Sequence, residues 1–284
     1  MTQQNYNSIR VIAIFAHPDD AEVKMGGTAA KFAEMGHAVK FVSLTNGDAG
    51  HQTDGGAPLA RRRALEAQEA AKRLGIDEYK VFDNHDAELL PTLKIRHQII
   101  REIRDWQADI VIGLRPNDYH PDHRYAGTLV MDSAFLVVVP NVVPDVPALQ
   151  KNPVFLYMED GFKKPNPFEP HITIDIDNTF DKKIYALDAH QSQFYEWLPT
   201  VTGFDEPVPE GRKERLEFLA KWLDEWNSQT NYLKPEIKKS LKTWYGDDKA
   251  TSVIRTESFE IAEYGRQPSP DEIRTLFPML GSYQ

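Results

Sequence analysis

Two short clusters, His17-Pro18-Asp19-Asp20 and His120-Pro121-Asp122-His123, hold the residue types that ligate a divalent metal and move protons. The 284 residues include no cysteine, so any metal here must be held by His, Asp and Glu. A catalytic zinc asks for three protein ligands with a further position left for water, and two histidines plus one carboxylate meet that demand. Successive side chains of an extended turn diverge, so only one of Asp19 and Asp20 can aim at the metal. The other is then free to act as general base on a metal-activated water. The same partition applies to His120 and His123: one ligates, while the other, held by Asp122, stabilises an oxyanion and protonates the leaving amine. Residue types alone leave open which member of each pair ligates. Taken singly, a His-x-x-Asp is mostly a turn cap and a His-x-x-His in a loop is mostly unremarkable. Two such clusters, each following a buried apolar strand, favour a metal site.

The elements that must bring these clusters together alternate along the chain. Arg10 to Ala16, Ala38 to Leu44, Tyr79 to Phe82 and Asp109 to Leu114 read as short strands. Between them lie helical stretches: Gly26-Gly27-Thr28 through Met35, Leu59 to Leu74, Thr92 to Trp106 with Ile95, Ile99, Ile103 and Trp106 on one stripe, and Arg124 to Val137. This is the pattern of an α/β fold with a mainly parallel sheet flanked by helices. Both polar clusters occupy the turn after a strand, and ligands of such sheets bind at the carboxyl ends of the strands. Pro18 and Pro121 stiffen the two turns. The Gly-rich loop from Asn46 to Gly56 is of the kind that covers a site. Further on, Pro153 to Met158 and His171 to Ile176 read as strands and Asn178 to about Phe194 as a helix. Residues 1–200 are expected to form the main domain, with 201–284 a mostly helical extension packed on it. Within that extension Glu210 to Trp226 places Leu216, Leu219, Trp222 and Trp226 on one side, and Ser258 to Ile261 is a candidate strand.

Lys and Arg total 33 against 43 Asp and Glu, a net charge of −10, so no global cationic field exists to hold a nucleic-acid backbone or an anionic membrane. The opening residues MTQQNYNSIR carry no apolar run, and VIAIFA is too short for a signal peptide or a membrane span, so the chain reads as cytoplasmic. A nucleotide-binding reading fails at the first turn, where HPDD stands in place of a Gly-rich phosphate loop.

At Ala16-His17-Pro18-Asp19-Asp20 with Glu22, Gly26-Gly27-Thr28 and His120-Pro121-Asp122-His123 the sequence resembles the LmbE-like or PIG-L family of zinc-dependent deacetylases. The resemblance extends through Thr45-Asn46-Gly47-Asp48-Ala49-Gly50, the helix from Arg63 to Gly75, Asn117-Asp118-Tyr119 and the stretch Lys183 to Gln193, covering about residues 10 to 195. It implies a Rossmann-like fold and hydrolysis of an N-acetyl group, usually from a GlcNAc-type sugar or glycoconjugate. Carried over by motif, His17, Asp20 and His123 become the Zn2+ ligands and Asp19 the general base, with His120 as stabiliser and acid and Asp122 orienting it. Other divalent ions such as Fe2+ suit the same donor set. Arg63 is a candidate bidentate donor to sugar hydroxyls and Asp48 a second substrate contact. Lys24 departs from the small or apolar residues usual at its position and is expected to face solvent. Tyr119 adjoins His120, so the carbonyl-polarising role of a family aromatic is not transferred to it. His190 and Gln193 fit either a feature near the pocket or a helix surface, and no role is assigned to His51 or His85. Residues beyond Gly203 lie outside the match and are expected to cover the site or form a homo-oligomer contact. The implied partner is a small N-acetylated sugar. Two other readings compete: a metal hydrolase of another amide or ester bond, and a non-catalytic sugar-binding protein of the same fold.

Overall fold

A computed structural model of the chain describes residues 8–203, 206–230 and 234–280, with the side chains of 226–230, Trp226 among them, outside the description. Seven strands form one sheet: β1 (Arg10–Phe15), β2 (Ala38–Ser43), β3 (Glu78–Val81), β4 (Ile110–Gly113), β5 (Val154–Met158), β6 (Ile172–Asp175) and β7 (Thr256–Gly265), in the order β3-β2-β1-β4-β5-β7-β6. The first five run parallel to one another, with Val11 beside Ile110 and Ile14 beside Val42 in the central registers. Val11 to Ala16 and Ile110 to Ile112 are fully buried, as continuous apolar strands in a sheet covered on both faces must be.

The intervening helices are α1 (Asp20–Glu34), α2 (Gly56–Leu74), α3 (Leu93–Asp105) and α4 (Pro121–Ser133). The predicted Thr92 start is the N-cap of α3, its side chain accepting from Ile95 N–H. Gly75 closes α2 in the left-handed conformation. Helix α5 (Phe180–Leu187) packs on α1 and α2, and α3 packs on α4. The helix expected to run on to Phe194 breaks after Leu187 and re-forms as a wider turn over Ser192–Trp197.

The largest difference from expectation lies after residue 200. Helices α6 (Leu198–Thr202), α7 (Arg212–Thr230), α8 (Pro235–Tyr245), α9 (Asp247–Ser252) and α10 (Pro270–Leu276) do make that part mostly helical. The candidate strand at Ser258 to Ile261, however, is the middle of β7, which runs antiparallel between β5 and β6. The sheet therefore crosses the expected boundary, and Leu219, Leu223, Phe259 and Phe277 join the same buried core as β1. Among the described residues no helix is long and apolar enough to cross a membrane.

Candidate metal centre

Strands β1 and β4 are neighbours, and strand order reverses between them, β2 and β3 lying to one side and β5 to the other. Such a reversal opens a crevice at the carboxyl ends of the strands, and both His/Asp clusters fall there. After β1 the chain turns tightly, Asp19 N–H donating to His17 carbonyl at 3.0 Å, and His17 N–H donates to Asp20 Oδ2 at 2.9 Å. After β4, His120 is the N-cap of α4 with Pro121 at the first helical position, which turns His123 toward β1.

Three donor groups converge. His17 Nδ1 and His123 Nε2 lie 3.2 Å apart, His123 Nε2 is 3.5 Å from Asp20 Oδ1, and His17 Nδ1 is 3.5 Å from Asp20 Oδ2. Ligands about 2.0–2.2 Å from a tetrahedral centre stand roughly 3.3–3.5 Å apart, and these separations are of that size, with Asp20 meeting the two rings through different oxygens, so the donor set suits a divalent metal. Carboxylates stand behind the far nitrogens, the usual surroundings of metal-ligating histidines, and His17 Nε2 lies near two of them without a formed hydrogen bond. His17 Nε2 lies 3.1 Å from Asp86 Oδ1 and 3.4 Å from Asp122 Oδ2, and His123 Nδ1 lies 3.2 Å from Asp118 Oδ2.

Two other groupings of donor atoms occur among the described residues, His17 with His120 and His123, and His17 with Asp86 and Asp122. Some donor atoms of each already have partners, as does Asp20 Oδ2 in the triangle. His120 Nδ1 accepts from Asp122 N–H at 3.2 Å, the Asp122 carboxylate accepts from Ala87 and Leu89 N–H at 2.7 and 3.1 Å, and Asp86 pairs with Arg63 at 3.6 Å. His17 and His123 are common to the triangle and to the all-histidine grouping, which differ in whether Asp20 or His120, through its Nε2, completes the set.

Charge follows this layout. Burial opposes ionisation of Asp20, but His123 and His17 outweigh it and hold the carboxyl well below its usual range. Burial likewise works against a charged His123, yet Asp20 and Asp118 hold its pKa up at about 9, and the carboxylates around His17 raise that residue too. Asp19 is not in the triangle: burial pushes it up to about 6 against the pull of Arg63, whose Nη2 lies 3.2 Å from Asp19 Oδ2. Burial and the charges of His17 and His123 depress His120. With Nδ1 accepting a backbone N–H, that ring is a neutral imidazole carrying its proton on Nε2.

Several expected roles change on contact with the geometry. Asp122, fully buried, does not orient His120 with its carboxylate; it turns that group to His17 and to the 87–89 backbone, and only its own N–H reaches His120. Arg63 is only 2% exposed, and its fork faces Asp19, Asp86 and the carbonyls of Gly47 and Pro18 rather than an open mouth. Gly47, at φ +71, admits it: a Cβ there would stand 2.5 Å from the guanidinium. Asp48 accepts from Asp86 N–H at 3.0 Å and from His85 at 2.7 Å, so it organises the 83–86 loop. Lys24 is not turned to solvent; its Nζ donates to Glu159 carbonyl at 3.0 Å. His190 and Glu22 form a fully buried pair at 2.9 Å behind the site, and Gln193 donates to Gly50 carbonyl at 3.0 Å, which ties the glycine-rich loop down. His51 pairs with Glu196 at 2.9 Å. Asp86 is the residue that the sequence did not single out; Asp83-Asn84-His85-Asp86 follows β3 as the other clusters follow β1 and β4, and that shared position is the signal.

Known proteins similar to this chain include deacetylases. The family model PIG-L, GlcNAc-PI de-N-acetylase, matches residues 12–134. Diacetylchitobiose deacetylase of Thermococcus kodakarensis is 33% identical over 204 residues, 67% of this chain and 73% of that protein. The chain belongs to the PIG-L family. Among solved structures, N,N'-diacetylchitobiose deacetylase from Pyrococcus horikoshii shares the fold with a TM-score of 0.67 at 24% identity, over 92% of this chain and 87% of that one. The 4-carboxy-2-hydroxymuconate hydratase of Pseudomonas putida does so as well, at TM-score 0.65 and 18% identity over 92% and 98% of the chains. In this PIG-L member the fold alone therefore does not choose the reaction.

Proposed function

We propose that the chain removes the acetyl group from a GlcNAc-type amino sugar or glycoconjugate by hydrolysis, with Zn2+ held by His17, Asp20 and His123. The observation that carries this reading is the donor triangle with a separate carboxylate, Asp19, beside it, in a chain 33% identical to a deacetylase of sugars. A divalent ion bound there supplies Lewis acidity and lowers the pKa of a water toward about 7.

The chain's own groups supply the rest. Asp19 takes the proton of the attacking water; a carboxyl raised to about 6 is a stronger base than an ordinary one while still ionised near neutrality. Arg63 fixes that carboxylate's position at 3.2 Å and keeps it charged. His120, neutral and bearing a proton on Nε2, donates to the oxygen that gains charge as the carbonyl carbon becomes tetrahedral. As the C–N bond breaks, the electron pair leaves with nitrogen, and the proton stored on Asp19 converts it to the amine. The acid role expected for His120 thus passes to Asp19, because a ring already accepting at Nδ1 has one proton only. Asp86, Asp118 and Asp122 hold the two ligating rings.

The test is release of free amine from GlcNAc, diacetylchitobiose and GlcNAc-linked aglycones by zinc-reconstituted protein against a chelated control. Asp19→Asn should keep its metal and lose about 10²–10⁴-fold in turnover, the usual worth of a general base. His123→Ala should lose the metal itself. An Asp19→Asn protein that turns over normally, or one that no longer binds metal, overturns the assignment.

A further inference from the structure

The turn that carries His120 also presents an aromatic ring that the core does not use. Tyr119 is 74% exposed, yet its ring stands 5.8 Å from His120 and 5.9 Å from His123, centroid to centroid, at the mouth of the centre. Its other neighbour is Phe162, tilted against it at 6.4 Å. Phe162 belongs to the loop after β5 and is in turn part of the wall of a cavity of about 800 Å3 between that loop and α8, lined also by Lys163, Phe168, Lys239 and Thr243.

The loop is built rather than draped. Arg115, at the end of β4 and buried, donates to Asp160 Oδ2 at 2.6 Å, to Phe162 carbonyl at 2.8 Å and to Asn166 carbonyl at 2.9 Å. Asn117 adds a bond to Lys164 carbonyl at 3.2 Å. The β4–α4 turn therefore fixes His120, His123 and the second aromatic ring, with Tyr119 beside the candidate centre and Phe162 between Tyr119 and the cavity it lines. Flat aromatic faces flanked by hydroxyl and ammonium donors match one face of a pyranose, which is apolar in its C–H groups and rimmed by hydroxyls. A cavity of this size exceeds what an N-acetyl group or a small carboxylate aglycone fills.

We propose that Tyr119 and Phe162 form a stacking platform for the sugar ring next to the one that loses its acetyl group, so that the substrate is an oligosaccharide extending into the cavity between the 159–171 segment and α8. This rests on the deacetylase reading and specifies its substrate.

The test compares kcat/KM for diacetylchitobiose and for GlcNAc in the wild type, Phe162→Ala, Tyr119→Ala and Phe162→Tyr, together with calorimetric binding of both sugars to Asp19→Asn with and without Phe162→Ala. Expected is a preference for the disaccharide of about tenfold or more, the scale of one good aromatic contact. Either alanine variant should remove most of it while metal content stays whole, and Phe162→Tyr should restore it. Binding of the disaccharide should weaken in parallel. Equal turnover of the two sugars, an alanine effect that falls on both alike, or a preference for GlcNAc bearing a small carboxylate aglycone overturns the platform. Disaccharide binding that needs Phe162 with no amine release from any sugar sinks the deacetylase reading and leaves the platform standing, so the two failures are distinct.

Discussion

At the scale of single residues, the centre is a contest between protons and metal for the same nitrogens. Asp20 and Asp118 hold His123 near a pKa of about 9, and His17 is raised as well, so both rings carry protons at neutral pH unless a cation displaces them. A raised histidine pKa means that acid strengthens the competing proton. Metal affinity should therefore fall as pH drops below about 9, by about tenfold per unit for each proton displaced. Competition titration against a chromophoric chelator at pH 6, 7, 8 and 9 reads this slope, and a flat profile from pH 7 to 8.5 contradicts it. Asp118→Ala should weaken metal binding by about 10–100-fold while also flattening that slope, since His123 then loses the carboxylate that fixes its tautomer. The proposed ligands could be picked out because metal chemistry restricts residue type and the two turns repeat the same pattern after two strands, and the structure brings His17, Asp20 and His123 together. The outer groups were less legible. A carboxylate that supports a ring from behind has the same type as one that faces substrate, and only the fold decides that Asp122 and Asp86 serve His17 while Arg63 turns to Asp19.

At the scale of elements, the first helix shows why a metal turn needs a strand from the far end of the chain. Helix α1 is interrupted at Met25, whose φ of −144° is not helical, so amide groups that a continuous helix would pair are released at Gly27 and Thr28. Glu257 of β7 accepts both, at 3.0 and 2.7 Å, and is itself paired with buried Lys183 at 2.8 Å. Gly27 also lets Ile176 pack against the helix: a Cβ there would stand 2.8 Å from the Ile176 side chain. Glu257→Ala should cost about 3–5 kcal/mol, because it leaves the Lys183 ammonium buried without its partner and two amides without an acceptor. Glu257→Gln should cost less than the alanine change, as an amide oxygen still accepts one bond. Chemical denaturation of the three proteins checks the order, and an alanine variant as stable as wild type shows that water enters to replace the carboxylate. Sequence alone marked Gly26-Gly27-Thr28 as a helix start, which is close, since a second start occurs there; the capping partner lies 230 residues away and no local pattern announces it.

At the scale of the whole molecule, the chain after residue 200 is part of the sheet and not a cover laid upon it. The expected division at that point came from the weak apolar periodicity of 201–284, and the reason it misleads is that one ten-residue strand carries the connection while the helices around it are charged on their outer faces. Among the described residues strand β6 pairs with β7 alone, and β5 has β7 as its second neighbour. A chain ending at Gly203 would therefore leave β6 without a partner, bare the edge of β5, and remove Leu219, Leu223, Phe259 and Phe277 from the core. An unpaired apolar edge is a template for pairing with other copies. We expect the truncated chain to aggregate or to lack a cooperative melting transition, and to bind no metal, even though His17, Asp20 and His123 all lie within it. Size-exclusion chromatography, thermal melting by circular dichroism and metal content of purified 1–203 against the full chain read the three effects. A soluble, cooperatively melting, metal-loaded 1–203 would mean that β5 and the parallel strands β1 to β4 suffice to hold the centre. In that case water serves Gly27 and Thr28 once β7 is gone, whereas Glu257→Ala in the full chain still buries Lys183 without its partner, so a stable 1–203 beside a costly Glu257→Ala locates that cost in the stranded ammonium and not in the lost cap.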